Sequence, residues 1–487
     1  MRKIPRTMST QHPDNVSIPF FAQNAVLGGD DEVTEAYFVF SHLGCDEQMW
    51  DYEGKEVDAF VVRKLLTKYE SFFRMCKLGV DVFLTPRVPN PSVEKNEGKV
   101  LLETLESIPR SYDIAHRFYG EDVPPIFEVI LPMTTSHVEL NRVYFYYKKY
   151  VAGKQHMRFF DGDITISEWV GKFKPEEIHV IPLIEDMKSM LSAHRIVEEY
   201  LKDKDFEYIR VFLARSDPAL NYGVASAVLL NKIALQRLYH LSEKISVDIF
   251  PIVGVGSAPF RGNFKPSTVD LCLKNYPDVQ TFTVQSAFKY DYPTHDVIKA
   301  LEKVNHSKRG RPILVDEERA LEIIRRFSEE YSRQVELLAN LINMIAKYVP
   351  DRRKRKLHIG LFGYSRKVGN VKLPRAIRFC ASLYSIGLPP ELLGLNVLTE
   401  KDLDFICDAA PSFLRDLADG LQYFNEKVLD LIPVEVAKRL RLDIIDFEIN
   451  EEHLVASTNV INAIKRGDFT NLSEQIVHAA KIRSFLG

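Results

Sequence analysis

The feature that most constrains this chain is a recurrence: eight short apolar runs rich in Val, Ile and Phe, each ending in polar or charged residues. They are Ala36–Phe40, Val80–Leu84, Ile126–Leu131, His179–Ile184, Tyr208–Leu213, Val247–Val253, Gln280–Val284 and Leu357–Phe362. Continuous runs of this length suit strands buried on both faces, as in parallel sheets. Segments with helical periodicity lie between them, among them Met187–Lys202, Gly223–His240 and Asp316–Tyr348. In the last of these, Leu321, Ile324, Phe327, Tyr331, Val335, Leu338 and Ile345 form a stripe at steps of three, four or seven. Eight strands with helical crossovers predict an α/β fold, a (β/α)8 TIM-type barrel; an open doubly wound sheet is the competing architecture.

The organisation that follows is one catalytic barrel domain over 1–487, its eight strands within 36–366. A mainly helical C-terminal extension over 367–487 packs on it, broken at Pro389-Pro390 and Pro433. With 46% hydrophobic and 27% charged residues, a chain of 487 residues can bury a core without disulfides or metals as staples. A net charge of −3 gives no bulk attraction for a polyanion or an anionic membrane, so neither nucleic acid nor membrane is an expected partner. The run Asp351–Lys356 is accordingly expected to be a solvated loop rather than a nucleic-acid patch. Five scattered cysteines without a CxxC pair exclude a disulfide framework and a zinc ribbon, and fit a reducing cytosol. No apolar stretch follows Met1–Met8, and none approaches the roughly 18 residues of a membrane helix. A soluble, cytoplasmic protein is expected.

In a barrel, functional groups stand where strands end. Glu185 and Asp217 each close a predicted strand, one βα unit apart. Two carboxylates, waters and substrate oxygens together commonly hold magnesium or manganese. The alternative for Asp217, before Pro218, is a helix N-cap. Arg87, Arg215, Arg261 and Arg366 follow apolar runs, and Arg375 lies in Leu373-Pro-Arg-Ala376. Convergent guanidinium groups imply an anionic, oxygen-rich substrate, whereas single arginines more often pair with surface acids. The loop Gly254–Asn263, Gly262 included, is expected to be flexible enough for backbone N–H groups to approach an anion, and to serve as a lid. His12, in Ser9–Asn15, carries a side chain suited to proton transfer near neutral pH; a loop histidine is the alternative. There is no HExxH spacing and no nucleophile elbow.

Five motifs in order carry a resemblance: Thr10-Gln-His-Pro-Asp14, Pro182-Leu-Ile-Glu185, Leu213-Ala-Arg-Ser-Asp217, Gly256-Ser-Ala-Pro-Phe-Arg-Gly-Asn263 and Leu373-Pro-Arg-Ala-Ile377. Together they resemble archaeal-type phosphoenolpyruvate carboxylase, from His12 to Gly487. The resemblance implies a (β/α)8 enzyme, a homotetramer, converting phosphoenolpyruvate and bicarbonate to oxaloacetate and phosphate with Mg2+ or Mn2+. It implies metal carboxylates at Glu185 and Asp217, and the proton-handling histidine at His12. Arginines at Arg87 and Arg261 would be catalytic, and Arg215, Arg366, Arg375 and Gly262 would bind substrate. The longer bacterial and plant enzymes carry a histidine and an extra arginine near the start of the glycine-rich loop, where this chain has Gly254-Val255-Gly256. This shorter chain also lacks much of the sequence in which those enzymes build regulatory sites, so their aspartate inhibition is not carried over. Two rival functions share these features. One is another barrel enzyme of phosphoenolpyruvate or pyruvate, a phosphotransferase or lyase, which bicarbonate dependence would separate. The other is a non-catalytic metabolite-binding barrel.

Overall fold

The computed structural model describes residues 2–54, 57–95, 98–354, 366–368 and 371–487. Eight parallel strands close a barrel: β1 Thr7–Ser9, β2 Glu47–Asp51, β3 Phe83–Arg87, β4 Glu128–Leu131, β5 His179–Ile184, β6 Tyr208–Ala214, β7 Asp248–Gly254 and β8 Thr281–Val284. Closure is made by β1 on β8, with Thr7 beside Phe282 and Ser9 beside Val284. The expected (β/α)8 architecture is therefore present.

Six of the eight apolar runs coincide with β3 to β8, shifted by up to three residues. The strand span differs, because the barrel runs from Thr7 to Val284 rather than over 36–366. Ala36–Phe40 belongs to a helix, Asp30–Ser41, which starts with three acids beside the positive end of the helix dipole. A short apolar run cannot by itself distinguish a buried helix from a strand. The strands missed were β1 and β2, whose sequences Thr-Met-Ser and Glu-Gln-Met-Trp-Asp are fully buried yet largely polar. The eighth run, Leu357–Phe362, lies outside the described residues.

Alternation along the strands fills the barrel in layers. A charged layer near the strand starts holds Arg210, fully buried, with Glu47 at 2.6 and 2.8 Å and Glu128 at 2.9 Å. Above it lies a separate apolar cluster of Met8, Met49, Ile130, Ile181, Leu183, Phe212, Ala214 and Ile252. The strand ends open above that cluster.

Outside the barrel, Val224–Ile245 and the 30-residue Glu317–Ala346 pack on each other, the latter capped by Asp316 accepting from the Arg319 amide. The expected helix Met187–Lys202 is two, Met187–Leu191 and Ala193–Leu201, parted at Ser192. From Leu373 onward the chain is mainly helical. Its first helix, Ala376–Ser385, packs on Glu317–Ala346 and on Leu472–Arg483. A two-stranded hairpin, β9 Arg366–Val368 and β10 Val371–Leu373, leads into it. Among the described residues, all five cysteines are free thiols and no helix is long and apolar enough to cross a membrane.

The basic run corrects an expectation. Arg352 and Arg353 are buried rather than solvated. Arg353 donates to both oxygens of Glu35 at 2.6 Å, and Glu35 also accepts from Lys289 at 2.8 Å. Backbone bonds between Leu27 and residues 352–354 tie the run to the barrel wall.

Candidate functional site

The strand ends surround a cavity of 440 Å³. Each wall is set by a local sequence feature. After β1, the turn Thr10–Asp14 folds back on itself: the Asp14 amide donates to the His12 carbonyl at 3.0 Å, and His12 Nδ1 lies 2.8 Å from Thr10 Oγ1. Gln11 accepts from the Asp51 amide at 2.8 Å, which leaves the half-buried His12 facing the cavity.

Arg87 ends β3 directly beside Asp51 at the end of β2. It is held bidentately by Asp51, at 2.8 and 2.7 Å, and Glu53 approaches to 3.0 Å. Such fork-on-carboxylate pairs fix a guanidinium in direction as well as in place. Arg87 and Glu53 both line the cavity.

Glu185, just past β5, accepts from the Met133 amide at 3.0 Å. Asp217 lies in the first turn of the helix Ser216–Tyr222 that follows β6, and both carboxylates line the cavity. The N-cap alternative for Asp217 does not hold: Arg215 occupies the cap position, and it makes no side-chain cap bond. Asp186 beside Glu185 does cap its helix, accepting from the Ser189 amide at 3.0 Å. Among the described residues no cluster of three or more His, Cys, Asp or Glu side chains could hold a metal. Two carboxylates converging on one cavity from adjacent strands suit a magnesium-like cation, which keeps water and substrate oxygens in its other positions.

Arg215 and Arg261 form the next wall. Arg261 is 1% exposed and is oriented from four directions. It donates to Ser216 Oγ at 3.1 Å, Asp14 at 3.2 Å, the Gly487 carbonyl at 2.7 Å and Gln285 Oε1. Arg215 is buried, donating to the Phe260 carbonyl at 3.4 Å, and lines the cavity. Burial pushes the Asp14 carboxyl up, while Arg261 and the Ala287 amide pull it down. Behind Arg215, burial likewise raises Glu391 to about 7 and Asp416 to about 6.

The glycine-rich loop is not a lid. Val255, Ser257, Ala258, Phe260 and Asn263 are buried, and Phe260 stacks near Tyr331. The Gly256 amide donates to the Arg261 carbonyl at 2.9 Å, so it is not offered to an anion. Asn263 clamps the loop to the helix Phe413–Leu421 through Asp416 at 2.8 Å and Asp419 at 2.9 Å. Gly262 does not line the cavity. It takes φ 119°, and a Cβ there would sit 2.8 Å from Val255, so its part is backbone shape.

Arg375, half-buried at the start of Ala376–Ser385, lines the cavity. Arg366 stands on β9 with its backbone opposite Leu373, and its side chain lies outside the described residues. Glu53, Gln285, Asp351, Arg352 and Arg378 also line the cavity and were not anticipated. Asp351 and Arg352 were visible only as part of a basic run, and Glu53 follows a strand without an apolar run. Six arginines (87, 215, 261, 352, 375, 378) face four carboxylates (53, 185, 217, 351) among the described lining residues, an excess of positive charge suited to an anion.

A family model described as phosphoenolpyruvate carboxylase matches residues 4–487. A phosphoenolpyruvate carboxylase of Methanothermobacter thermautotrophicus is 55% identical over 485 residues, covering 100% of each chain. That of Pyrococcus abyssi is 53% identical over 487 residues, covering 99% of this chain and 100% of its own. That of Methanospirillum hungatei JF-1 is 51% identical over 485 residues, again covering 100% of each. Among solved structures, an HpcH/HpaI aldolase from Desulfitobacterium hafniense aligns with a TM-score of 0.35 and 12% identity, covering 62% of this chain and 94% of that one.

Proposed function

The chain belongs to the archaeal-type phosphoenolpyruvate carboxylase family, and from that premise we propose that it joins phosphoenolpyruvate to bicarbonate, releasing oxaloacetate and phosphate. The observation that carries the reading is the cavity wall: arginines in excess, with Glu185 and Asp217 presented from neighbouring strand ends.

Glu185 and Asp217 would hold the divalent cation, magnesium or manganese, which when bound supplies positive charge beside the substrate's enol oxygen. Arg87 and Arg261, with Arg215, Arg366 and Arg375, bind the phosphate and carboxylate of phosphoenolpyruvate. Bicarbonate oxygen attacks phosphorus, forming carboxyphosphate and the enolate of pyruvate. Fixed guanidinium groups neutralise the charge on the transferring phosphoryl group, and their existing bonds to Asp51, Asp14 and Ser216 mean they need not reorganise as it develops. His12 takes the carboxyl proton of carboxyphosphate and returns it to the departing phosphate. The carbon dioxide so released is attacked by the enolate carbon. Leu183, Phe212, Ala214 and Leu486 in the cavity wall keep water from protonating that carbon. On the same family premise we assign the protein to the cytoplasm and to a homotetramer.

The test is an assay with phosphoenolpyruvate and magnesium, with and without bicarbonate, following oxaloacetate and phosphate together. Equal, bicarbonate-dependent amounts of both are expected. Phosphate with pyruvate in place of oxaloacetate would assign the protein to a different phosphoenolpyruvate chemistry, and no turnover would leave only the binding barrel. His12→Asn is expected to bind phosphoenolpyruvate normally and to lose carboxylation; normal carboxylation would make His12 structural.

A further inference from the structure

The side chain of Lys289 is wholly buried, and the chemistry set out above makes no use of it. It stands on the short helix Ser286–Tyr290 that follows β8, the strand beside β1 in the closed barrel. Its ammonium has three hydrogens and three acceptors: Glu35 Oε1 at 2.8 Å, Ser9 Oγ at 2.9 Å and the Thr10 carbonyl at 3.0 Å. Replacing a buried ion pair by apolar side chains of like volume is often neutral, so stability alone gives little reason for a lysine here. What the lysine fixes is direction. Two of its three bonds go to Ser9, which ends β1, and to Thr10, which starts the turn carrying His12.

Thr10 is fully buried, and each of its polar groups has a set partner. Its amide donates to the Val284 carbonyl at 3.0 Å, its carbonyl accepts from Lys289, and its hydroxyl oxygen lies 2.8 Å from His12 Nδ1. The turn meets the Lys289 helix a second time, where Asp14 accepts from the Ala287 amide at 2.8 Å. With Nδ1 donating to Thr10, the imidazole is held in one direction and in the tautomer whose Nε2 takes up a proton. Misplacing a reacting group by 1 Å can cost about 10²-fold in rate. Behind Lys289, Glu35 accepts also from Tyr290 Oη at 2.6 Å and from both terminal nitrogens of Arg353 at 2.6 Å. The acid that steers the lysine is therefore itself fixed, and it stays paired when the lysine is removed.

We propose that Thr10 and Lys289 are positioning residues for proton transfer by His12: Lys289 fixes Thr10, and Thr10 fixes the ring and its tautomer. The relay presupposes the carboxylase reading, in which His12 moves the carboxyphosphate proton.

Lys289→Met, Thr10→Val, Thr10→Ser and the double variant Lys289→Met with Thr10→Val are compared with the wild type. Oxaloacetate, pyruvate and phosphate are followed with phosphoenolpyruvate, magnesium and bicarbonate, and circular dichroism controls for folding. Thr10→Val and Lys289→Met should each lower kcat about 10–100-fold. KM for phosphoenolpyruvate should stay within roughly twofold, because neither change removes a bond to the arginines of the cavity. The products should shift as well. With His12 out of place, the enolate takes a proton from water to give pyruvate, and carboxyphosphate is hydrolysed to bicarbonate and phosphate. Phosphate should then exceed oxaloacetate. Thr10→Ser keeps the hydroxyl and should recover most of kcat and the equal yield. The double variant should be no slower than the slower single one, as for two links of one chain.

Wild-type kcat and equal yields in both single variants would overturn the relay and leave the carboxylase reading standing. A wild type that makes no oxaloacetate would overturn both. Single effects that multiply in the double variant would make the two residues independent and overturn the relay. A Lys289→Met protein that does not fold would make the lysine structural and overturn its part, with Thr10→Val and Thr10→Ser still deciding the threonine's.

Discussion

The barrel carries ionic clusters at its two ends, built from the same residue types, with β2 supplying Glu47 to one and Asp51 to the other, and they do opposite things. At the lower end Arg210 is enclosed by Glu47 and Glu128, with Thr281 Oγ1 at 3.2 Å. Burial alone would weaken its hold on its proton, but the two carboxylates more than offset that, and the guanidinium is held firmly charged. The lower ions are satisfied by one another and by the hydroxyls of Thr85, Tyr208 and Thr281, and none of them lines the cavity. At the upper end Arg87 and Arg261 are equally well held, yet they line an open volume. An apolar layer from Met8 to Ile252 separates the two ends. An ion pair closed on itself is structural, whereas one that borders a cavity has a field to offer a ligand.

The sharpest way to break this contrast is Glu185→Ala. Turnover should fall roughly 10³-fold, as when a group that stabilises transition-state charge is removed. The unfolding temperature should hold, because Glu185 borders space; a large loss of stability with modest loss of turnover would make the upper cluster structural. Arg210→Met reverses the expectation. It strands two buried carboxylates and should cost about 3–5 kcal/mol in urea unfolding. Replacing Glu47 and Glu128 by Gln as well should restore most of it, with kcat near the wild-type value. Asp51→Asn keeps the shape at the upper end but loosens Arg87; kcat/KM for phosphoenolpyruvate should fall about 10–100-fold, the usual effect of removing a supporting partner.

A third buried guanidinium refines the comparison. Arg483 donates to His453 Nε2 at 2.8 Å, a neutral partner in place of a carboxylate. Burial, and then Arg483, push His453 down to about 2. The unfolded chain takes up this proton near pH ~6.5 and the folded one does not, so stability should fall as pH drops below that value. A urea series from pH 7 to 5 should show the loss. His453→Gln should flatten it, and an unchanged slope would assign the acid sensitivity elsewhere.

How much was legible follows from the same geometry. β3 to β8 could be read because parallel strands covered on both faces are continuously apolar. β2 could not, because it carries Glu47 and Asp51, members of the two ionic clusters, and β1 could not because its three residues hold a single apolar side chain, Met8. Ala36–Phe40 misled for the converse reason: a helix packed on a barrel can bury four residues out of five, here all but Tyr37, almost as a strand does. Glu185, Asp217, His12, Arg87, Arg215, Arg261 and Arg375 were legible as polar residues just after strands or within motifs, and all seven line the cavity. Glu53 and Arg352 were hidden, because their positions depend on segments that carry no period.

The sequence alone determined the class of fold and the charge of the mouth, since both are written in local pattern: apolar runs at regular spacing, each followed by acids or arginines. Only the tertiary structure decided which charges are satisfied internally and which face a cavity. Arg210 and Arg215 lie five residues apart around one strand, one locked in the barrel floor and one bordering the site. The glycine-rich loop reads as mobile but is buried, because its freedom is removed by Phe260, Asn263 and a helix some 150 residues later. Electrostatic energy depends on distances between residues far apart in the chain, and those distances exist only once the chain has folded.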